Sequence, residues 1–501
     1  MVIKGNYIKL IFGLKVKQLR IEKKMLLSEL ASKTGMSISY LNEIETGKKY
    51  PKADKIAALA GSLNTTYDKL VSLRLARNLA PIGELLESNI LEQLPLDHYG
   101  IDINKLIFLM SNSSMQLSAL ISTFIEMAQT SELSQNNFSK TAIRTFKEFN
   151  ENYFEDLENS VRKFYSKYKL KESPRINYQQ LKTILEKSFN YEINESSINK
   201  YPELDELRGV VIKKKRNQLL LNGKLSDAQK AFVVGKELAY NYLNIKDRSY
   251  IYSSLKLNTF DHLLNNFKAS YFSTALIING GLLLKDLEQF FKLKKWEPDR
   301  FLTLLNKYNA TTEMFFQRIT NLSSKFFGLN KFFFLRFNHE IGSSEYRLSN
   351  ELRLNTRLNP VAGQINEHFC RRWVPFETLK NLESLMTKEK DFGRRIINIC
   401  RSRYYESDDE YICISAGQKG NLLTNVISSI AIGFQVDDSL SQKIKFVYDP
   451  EIPVTVVNDT CERCKIQGCK ERVALPTSAE KMEKYLRLEK ILKTLFEEEN
   501  I

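Results

Sequence analysis

Residues 29–51, ELASKTGMSISYLNEIETGKKYP, carry the local signals that decide the fold of the N-terminal region. Gly35 follows a short amphipathic segment, where a helix is expected to end, and Ser37 stands where the next helix would be capped. Leu41 and Ile44 lie three residues apart and predict the buried face of that second helix. The sequence GKKYP then ends it. The stretch therefore predicts two helices joined by a tight turn.

Amphipathic segments on both sides of this stretch predict three more helices. LKVKQLRIEKK precedes it and KADKIAALAGSLNTTYDKL follows it. In this order the segments resemble the lambda-repressor-like (XRE) family, in which the second helix of the motif enters the major groove of DNA. The resemblance implies a five-helix DNA-binding domain over residues 8–73. It assigns contacts with bases and phosphates to Ser28, Ser37, Ile38, Ser39, Tyr40, Asn42, Glu43, Lys48, Lys49 and Lys52.

The composition of the 501-residue chain favours a nucleic-acid partner. The formal net charge is +15, and residues 1–72 hold 13 Lys and Arg against 6 Asp and Glu. This concentration of positive charge suits a polyanion such as double-stranded DNA. No run of about 20 uncharged apolar residues occurs, and the N-terminus lacks the long apolar region of a signal peptide. We therefore expect a cytoplasmic protein without a membrane partner.

Residues 74–172 contain few glycines and prolines and predict a helical linker. Within it, residues 103–128 (INKLIFLMSNSSMQLSALISTFIEMA) are strongly apolar, and aromatic residues recur at roughly helical spacing between 146 and 154. Both an ordinary helical core and a dimerisation element fit this pattern. Because helix-turn-helix proteins commonly read two half-sites as a symmetric pair, we predict a homodimer.

Residues 231–243, AFVVGKELAYNYL, have the outline of a zinc-peptidase helix without its metal ligands. A helix, two strand-like runs (GVVIKKK and NQLLLN) and this helix follow in an order that resembles the IrrE-like, zincin-like metallopeptidase domain. The resemblance implies a His-Glu-x-x-His helix with two zinc-binding imidazoles and a general-base glutamate. Aligned on Glu237, the ligand positions hold Lys236, Tyr240 and Asn266. We therefore predict no catalytic residue and no enzyme activity.

Further segments extend the resemblance to nearly the whole chain. FKASYFSTALII, FFQRITNL, NKFFFLRFNHEIGSSEYRLS and FCRRWVPFETL follow in the order found in the short-chain fatty acyl-CoA regulator family. The resemblance implies an acyl-CoA effector that tunes promoter binding. Candidate cations for the CoA phosphates are Lys213, Lys214, Lys215, Arg216 and Lys236, and candidates for an acyl slot are Tyr271, Phe272 and Phe316. The alternative is that the aromatic residues form plain core and that the KKKR run is a solvated turn.

The cysteines concentrate in the C-terminal part of the chain. Cys461, Cys464 and Cys469 lie within CERCKIQGC, and Cys370 in HFCRRW offers a fourth thiolate. In a reducing cytosol such clustering favours a metal over disulfides. Zinc, an iron–sulfur cluster and reduced structural thiols all remain open, because thiolates suit both kinds of metal centre. Cys400 and Cys413 are interpreted as small buried residues.

Residues 345–476 predict an α+β sensor-like domain. Strand-like runs (YICISAG, IAIGFQV, KIKFVYD) alternate with helices expected near 376–388 and 391–400. Residues 477–501 then begin with a capping box, Thr477 and Glu480, and predict an amphipathic helix. Its apolar side includes Met482, Leu486, Leu492 and Phe496. Docking on its own domain and docking on a partner subunit are both open.

Together these patterns predict a multidomain, mainly α protein with α+β parts that acts as an effector-controlled transcriptional regulator. An IrrE-like metallopeptidase acting on a repressor and a non-enzymatic antirepressor or interaction protein are the alternatives. The predicted segments are 8–73 (helix-turn-helix), 74–172 (linker), 173–344 (degenerate IrrE-like), 345–476 (cysteine-bearing) and 477–501 (helix).

Overall fold

The computed structural model describes residues 5–72, 75, 135–205, 207–252, 260–355, 367–389, 395–405, 407, 409–419 and 425–498. Two compact units divide the chain: residues 1–143 with 258–263, and residues 144–257 with 264–501. The predicted apolar linker helix at 103–128 lies outside the described residues, as does the rest of 76–134. Dimerisation through this linker therefore stays a prediction.

The N-terminal domain consists of the predicted five helices within residues 5–72. Val16, Leu30, Leu41 and Ile44 are fully buried and form the centre of its core. Gly35 has φ +63° at the end of the second helix, a conformation that glycine adopts without steric cost. The helices are α1 (Gly5–Glu22), α2 (Leu27–Thr34), α3 (Ile38–Glu45), α4 (Ala53–Ser62) and α5 (Tyr67–Val71).

A small sheet follows two further helices, α6 (Gln135–Phe149) and α7 (Glu155–Lys167). The sheet has the order β1–β3–β2, with β1 parallel and β2 antiparallel to β3. This order of helix, strands and helix agrees with the sequence prediction. The elements are α8 (Tyr178–Phe189), β1 (Tyr191–Asn194), β2 (Gly209–Ile212), β3 (Asn217–Leu221) and α9 (Asp227–Tyr242).

Helices then continue in the order α10 (Phe260–Ile277), α11 (Gly280–Phe291), α12 (Pro298–Lys307) and α13 (Thr312–Phe327). The fully buried Arg318 ties α13 to α7, because its guanidinium donates to both carboxylate oxygens of Glu158. Among the described residues, no single helix has the length and hydropathy to cross a membrane. The pair α10 and α11, bent by 69°, passes that test only when taken together.

A six-stranded sheet forms the C-terminal part, in the order β5–β4–β8–β7–β6–β9. Neighbouring strands are antiparallel except β6 and β9. α14 packs on one face of this sheet through Phe376, Leu379 and Leu382. The elements are β4 (Phe332–Glu340), β5 (Tyr346–Leu354), α14 (Val374–Glu389), β6 (Ile396–Tyr404), β7 (Glu410–Lys419), β8 (Val426–Gln435), α15 (Asp438–Lys443) and β9 (Val454–Val457).

The structure corrects the sequence prediction at three points of this region. The boundary placed between residues 344 and 345 falls in the turn of the β4–β5 hairpin, so it would divide one sheet. The helix predicted near 391–400 is wrong, because Ile396–Tyr404 is a strand paired on both sides. The run KIKFVYD is a buried turn segment in which Phe446 and Val447 fill the core. Short apolar runs do not distinguish strand, helix and buried loop by periodicity.

Candidate DNA interface and effector site

Local interactions set the beginning and the turn of the recognition helix α3. The Ser37 hydroxyl accepts a hydrogen bond from the Tyr40 amide at 3.1 Å, as the sequence predicted for an N-cap. Leu41 and Ile44 anchor the helix in the core, with no exposed surface. Its opposite face is therefore presented to solvent.

Two contacts that the sequence analysis missed hold the C-terminal end of α3 on α1. Arg20 donates to both carboxylate oxygens of Glu45, at 2.7 and 2.8 Å, and to the Met25 carbonyl at 2.9 Å. Gly13 lets the helices touch, because a Cβ there would lie 2.1 Å from the Ile44 carbonyl oxygen. These partners are distant in sequence, so no local pattern indicates them.

Most of the predicted DNA contacts are available on the surface of the domain. Tyr40 and Glu43 are half-buried, and Ile38 is 53% exposed at the first turn of α3. An apolar residue exposed at this position suits contact with a thymine methyl group. The predicted residues that are exposed are Ser28, Ser37, Ile38, Ser39, Asn42, Lys48, Lys49 and Lys52.

Glu43, whose negative charge opposes phosphate binding, is paired inside the interface. The Lys49 ammonium lies 2.7 Å from a Glu43 carboxylate oxygen and 5.7 Å from the centre of the Tyr40 ring. The hydrogen bond and charge of Glu43 raise the pKa of Lys49. Lys49 therefore neutralises an acidic side chain as well as adding positive charge, whereas Lys48 serves only the second purpose.

Helix α9 carries the glutamate of the peptidase-like motif, and neighbouring side chains hold its carboxylate in place. Glu237 is fully buried and accepts hydrogen bonds from Arg248 at 2.6 Å to each oxygen. Tyr191, Tyr252 and Asn241 donate to the same carboxylate. Burial would raise the pKa of Glu237, but the hydrogen bonds and charge of Arg248 hold it below its ordinary value. A carboxylate neutralised in this way is a poor general base.

Two of the three residues at the predicted ligand positions, Lys236 and Asn266, contact each other. The Lys236 ammonium donates to the Asn266 side-chain oxygen at 2.5 Å, and the rings of Phe232 and Tyr252 flank it. Burial lowers the pKa of Lys236 to about 7, and the positive charge of Arg208 adds to this effect. Tyr240, at the third position, is buried under the guanidinium of Arg248, 4.4 Å from the ring centre.

Arg208 lies near Lys236 and belongs to a group of cations near the carboxylate of Glu313. Arg208 is an exposed residue that precedes β2, although many protein atoms surround its guanidinium. Burial lowers its pKa, the charge of Glu313 raises it, and that of Arg336 lowers it. Burial likewise lowers the pKa of Lys147 to about 8, against the charge of Glu313.

Only Arg336 among these cations has a direct ion pair with Glu313, at 2.7 Å. Its Nε is buried without a hydrogen-bond acceptor among the described residues. Sequence reasoning identified Lys236 but not Lys147, Arg208 or Arg336, because these residues come from α6, the segment before β2, and β4.

The remaining predicted effector residues lie elsewhere in the fold. Tyr271, Phe272 and Phe316 are buried in the packed core, as their alternative interpretation proposed. The Tyr271 hydroxyl donates to Glu158 at 2.8 Å, which fixes its ring in place. The KKKR run, residues 213–216, is the exposed turn between β2 and β3.

Backbone contacts place the segment of Cys370 beside the loop that carries the other predicted metal-binding cysteines. The Cys370 amide donates to the Asp459 carbonyl at 3.0 Å, and the Cys461 amide to the His368 carbonyl at 2.8 Å. Burial raises the pKa of the Cys370 thiol, and the nearby Cys461 and Cys464 add to the rise. Cys469 is half-buried. Within the described ranges no three Cys, His, Asp or Glu side chains stand together as metal ligands.

Backbone hydrogen bonds hold the cysteine loop in shape. Arg472 donates to the carbonyl oxygens of Cys461, Cys464, Ile466 and Ala474, at 2.8 to 3.3 Å. Outside this loop, Cys400 and Cys413 are buried and lie opposite each other on β6 and β7.

Comparison with known proteins supports the DNA interface. A helix-turn-helix family model (HTH_3) matches residues 16–70. A solved structure described as a Mycobacterium tuberculosis transcriptional regulator has 16% identity and a TM-score of 0.46, over 66% of this chain and 93% of that one. No curated protein matches the chain. Residues 16–70 thus form a helix-turn-helix domain of XRE type. A helix-turn-helix domain is a DNA-binding domain, so this part of the chain binds double-stranded DNA.

Proposed function

We propose that the chain is a transcriptional regulator controlled by a small anionic effector, a short-chain acyl-CoA, that binds among the cations beside α9. The observation that carries the proposal is a group of neighbouring cations: the buried Lys236 lies near Arg208, and Arg208 lies with Lys147 and Arg336 near Glu313. The charged form of the buried Lys236 is costly, and an anion that paired with its ammonium would remove much of that cost.

The chemistry of an acyl-CoA fits this cluster. Its phosphate groups accept charge-assisted hydrogen bonds from lysine and arginine. Lys236 is suited to respond to such a ligand, because its pKa of about 7 in the free protein leaves it partly neutral. A bound anion favours the charged ammonium, so binding would take up a proton above pH 7. Among anionic ligands, we choose a thioester because the sequence resembles the acyl-CoA regulator family.

We also propose that the domain around α9 has an IrrE-like fold and no peptidase activity. Lys236 occupies a position where zinc requires a neutral lone pair, and Glu237 is engaged by Arg248. The buried pair would have to separate before Glu237 could take a proton from water, and separation leaves an isolated charge in the interior.

The test is thermal denaturation and calorimetry of the full chain with acetyl-, propionyl- and butyryl-CoA, against free CoA and the free acids. A specific thioester at a hundred times its dissociation constant should stabilise the protein by about 2.7 kcal/mol. Lys236→Met keeps the side-chain volume and should weaken binding by about tenfold, or about 1.4 kcal/mol. The exposed Lys214→Ala is the control and should bind as the wild type does.

The pH dependence separates this site from a surface site. Affinity for the thioester should fall as pH rises from 7 to 9, because the ammonium of Lys236 must be protonated to bind. The Lys236→Met variant should show no such fall. If no thioester shifts the denaturation of the wild type, the non-enzymatic interaction protein becomes the better proposal. Zinc-dependent peptide hydrolysis would favour the metallopeptidase instead.

A second candidate function, a metal centre at the cysteine loop, is favoured by the approach of Cys370 to Cys461 and Cys464. We propose that these thiolates, with Cys469, hold zinc or an iron–sulfur cluster. The fit is partial, because Cys469 is half-buried and the described residues present no assembled ligand set. Metal analysis and a visible spectrum of anaerobically purified protein distinguish iron from zinc, and finding neither would contradict the site.

A further inference from the structure

A cleft of about 540 Å³ lies between the start of α9, the end of α12 and the residue that precedes β6. This volume is in the range of binding sites for small molecules. The charged side chains that line the cleft are one acid, Asp227, and one base, Arg395. The cations near Glu313 and the cysteine loop do not line it, so the cleft is a separate feature of the fold.

Arg395 carries a positive charge that no described carboxylate balances. Its guanidinium donates to the Asn306 side-chain oxygen at 2.7 Å and to the Ala310 carbonyl at 3.2 Å, and both acceptors are neutral. Burial lowers the pKa of Arg395, and among the described residues no acid opposes that change. A guanidinium has five N–H donors in one plane, so three are left to bind a carboxylate of a ligand.

Asp227 supplies the opposite charge and also has a free acceptor. Its Oδ2 accepts from the Asn309 side chain at 2.7 Å and from the Tyr178 amide at 3.5 Å. Its Oδ1 has no hydrogen-bond donor in the part of the chain that the structure describes, and Asp227 forms no ion pair with Arg395 there. An ammonium group, which only donates, is a suitable partner for this oxygen.

Two consecutive residues hold these charges at the cleft. The side chain of Asn309 binds Asp227, and the carbonyl of Ala310 binds Arg395. Because neighbouring Cα atoms are about 3.8 Å apart, the carboxylate and the guanidinium are fixed near each other without pairing. A molecule that carries a carboxylate and an ammonium on adjacent atoms would bridge them.

We propose that this cleft binds a free α-amino acid as its zwitterion, with the ligand carboxylate on Arg395 and the ligand ammonium on Asp227. Such a ligand balances both charges at once, whereas a simple anion or a simple cation balances only one. Ala228 and Leu302 also line the cleft and offer an apolar surface to the side chain of the ligand. The site is independent of the acyl-CoA site proposed above.

The first test is calorimetric titration of the full chain with each of the common α-amino acids. At least one should bind, and Arg395→Met and Asp227→Asn should each weaken its binding about tenfold, because each removes one charge-assisted pair. Asp227→Asn keeps the side-chain shape and an acceptor for Asn309, so it tests the site even if Arg395→Met unfolds the domain.

Arg300 on α12 provides the matched control for these variants. It is exposed and pairs with Glu297 at 3.8 Å, so Arg300→Met should bind the amino acid as the wild type does. A wild type that binds no α-amino acid, or an Asp227→Asn variant that binds as tightly as the wild type, would overturn the proposal.

The second test removes one charge of the ligand at a time. The N-acetyl derivative lacks the ammonium, so it should bind about tenfold more weakly than the free amino acid and equally to the wild type and Asp227→Asn. The amide lacks the carboxylate, so it should bind equally to the wild type and Arg395→Met. An N-acetyl derivative that binds as tightly as the free amino acid would show a plain anion site and contradict the zwitterion.

The Lys236→Met variant separates this cleft from the acyl-CoA site. It should weaken acyl-CoA binding and leave the affinity for the amino acid unchanged, whereas Arg395→Met should do the reverse. Loss of amino-acid binding in Lys236→Met would place the ligand among the cations beside α9 and contradict the cleft. Each of the two proposals can therefore fail without the other.

Discussion

The N-terminal domain and the surroundings of α9 use their polar residues in opposite ways. On α3 the predicted functional side chains, such as Ser39 and Asn42, point to solvent and are available to DNA. On α9 the motif residues Lys236 and Glu237 point inward and already have partners. Similar local sequence patterns thus give exposed side chains on α3 and a buried hydrogen-bonded network on α9.

The difference shows that a motif predicts the course of the backbone better than the state of its side chains. A helix cap such as Ser37 acts within three residues, so its role is visible in the sequence. Glu237 depends on Arg248, Tyr191 and Tyr252, which lie on other elements of the fold. Substitutions in the two regions should therefore affect the protein in different ways.

The largest effect is expected from breaking the buried network. Arg248→Met removes the guanidinium from Glu237 and leaves a buried carboxylate without its counter-ion, which should cost about 3–5 kcal/mol of unfolding free energy. Urea denaturation of the full chain measures the loss. Glu237→Gln combined with Arg248→Met should recover part of it, because the isolated charge is gone.

Arg347 provides the control for this prediction. It pairs with Glu345 on the surface, where both side chains are highly exposed. Arg347→Met should leave the denaturation curve unchanged, because exposed pairs are screened by water and salt. Equal losses for Arg248→Met and Arg347→Met would show that the buried network contributes little.

A smaller effect is expected from the close contact between α1 and α3. Gly13→Ala places a methyl group 2.1 Å from the Ile44 carbonyl oxygen, and the required backbone shift should cost about 1–3 kcal/mol. Gly61→Ala is the matched control in α4, where a Cβ meets nothing within 4 Å. That change should stabilise the domain by about 0.5–1 kcal/mol.

The effect of each glycine substitution on local stability can be measured by hydrogen exchange of the α1 and α3 amides in the full chain. Faster exchange in Gly13→Ala and slower exchange in Gly61→Ala are expected. If both variants exchange alike, the helices have another way to accommodate the methyl group.

The smallest and most specific effect concerns DNA binding. Lys48→Ala should weaken binding similarly across sequences and reduce the slope of affinity against salt by about one phosphate contact. Lys49→Ala should weaken binding more, because it also leaves Glu43 unpaired next to the phosphates. Fluorescence anisotropy over a range of salt concentrations measures both, and the combined Lys48→Ala, Lys49→Ala variant should lose most.

Glu43→Gln in the Lys49→Ala background isolates the cause of that difference. It should bring the affinity of Lys49→Ala back to that of Lys48→Ala, since the exposed negative charge is then removed. Identical affinities for the two single variants would contradict the role given to the Glu43–Lys49 pair.

Much of the fold was predictable where signals are local. All five N-terminal helices, the Gly35 turn and the Ser37 cap follow from the sequence, and so does the order of elements leading to α9. The strand at Ile396–Tyr404 and the buried turn around Phe446 were not predictable in this way. Their apolar residues are fixed by pairing with β7 and β9 and by core packing, not by a periodic pattern.

The site was predictable to a lesser extent. Lys236 and Asn266 were selected as altered ligand positions, yet their mutual hydrogen bond and the cations around Glu313 come from the tertiary structure. The same is true of the Glu43–Lys49 pair and of the Arg20 contact with Glu45.

By itself the sequence determined the helix-turn-helix at the N-terminus, because this motif depends on residue identity at short spacing. Only the tertiary structure decided which charges are balanced and which apolar faces are covered. Arg208, Lys147 of α6 and Arg336 of β4 lie near Glu313, whereas residues 480–491 of the last helix, Thr477–Glu498, are exposed. Electrostatic and packing energies depend on distances across the fold, which no local pattern contains.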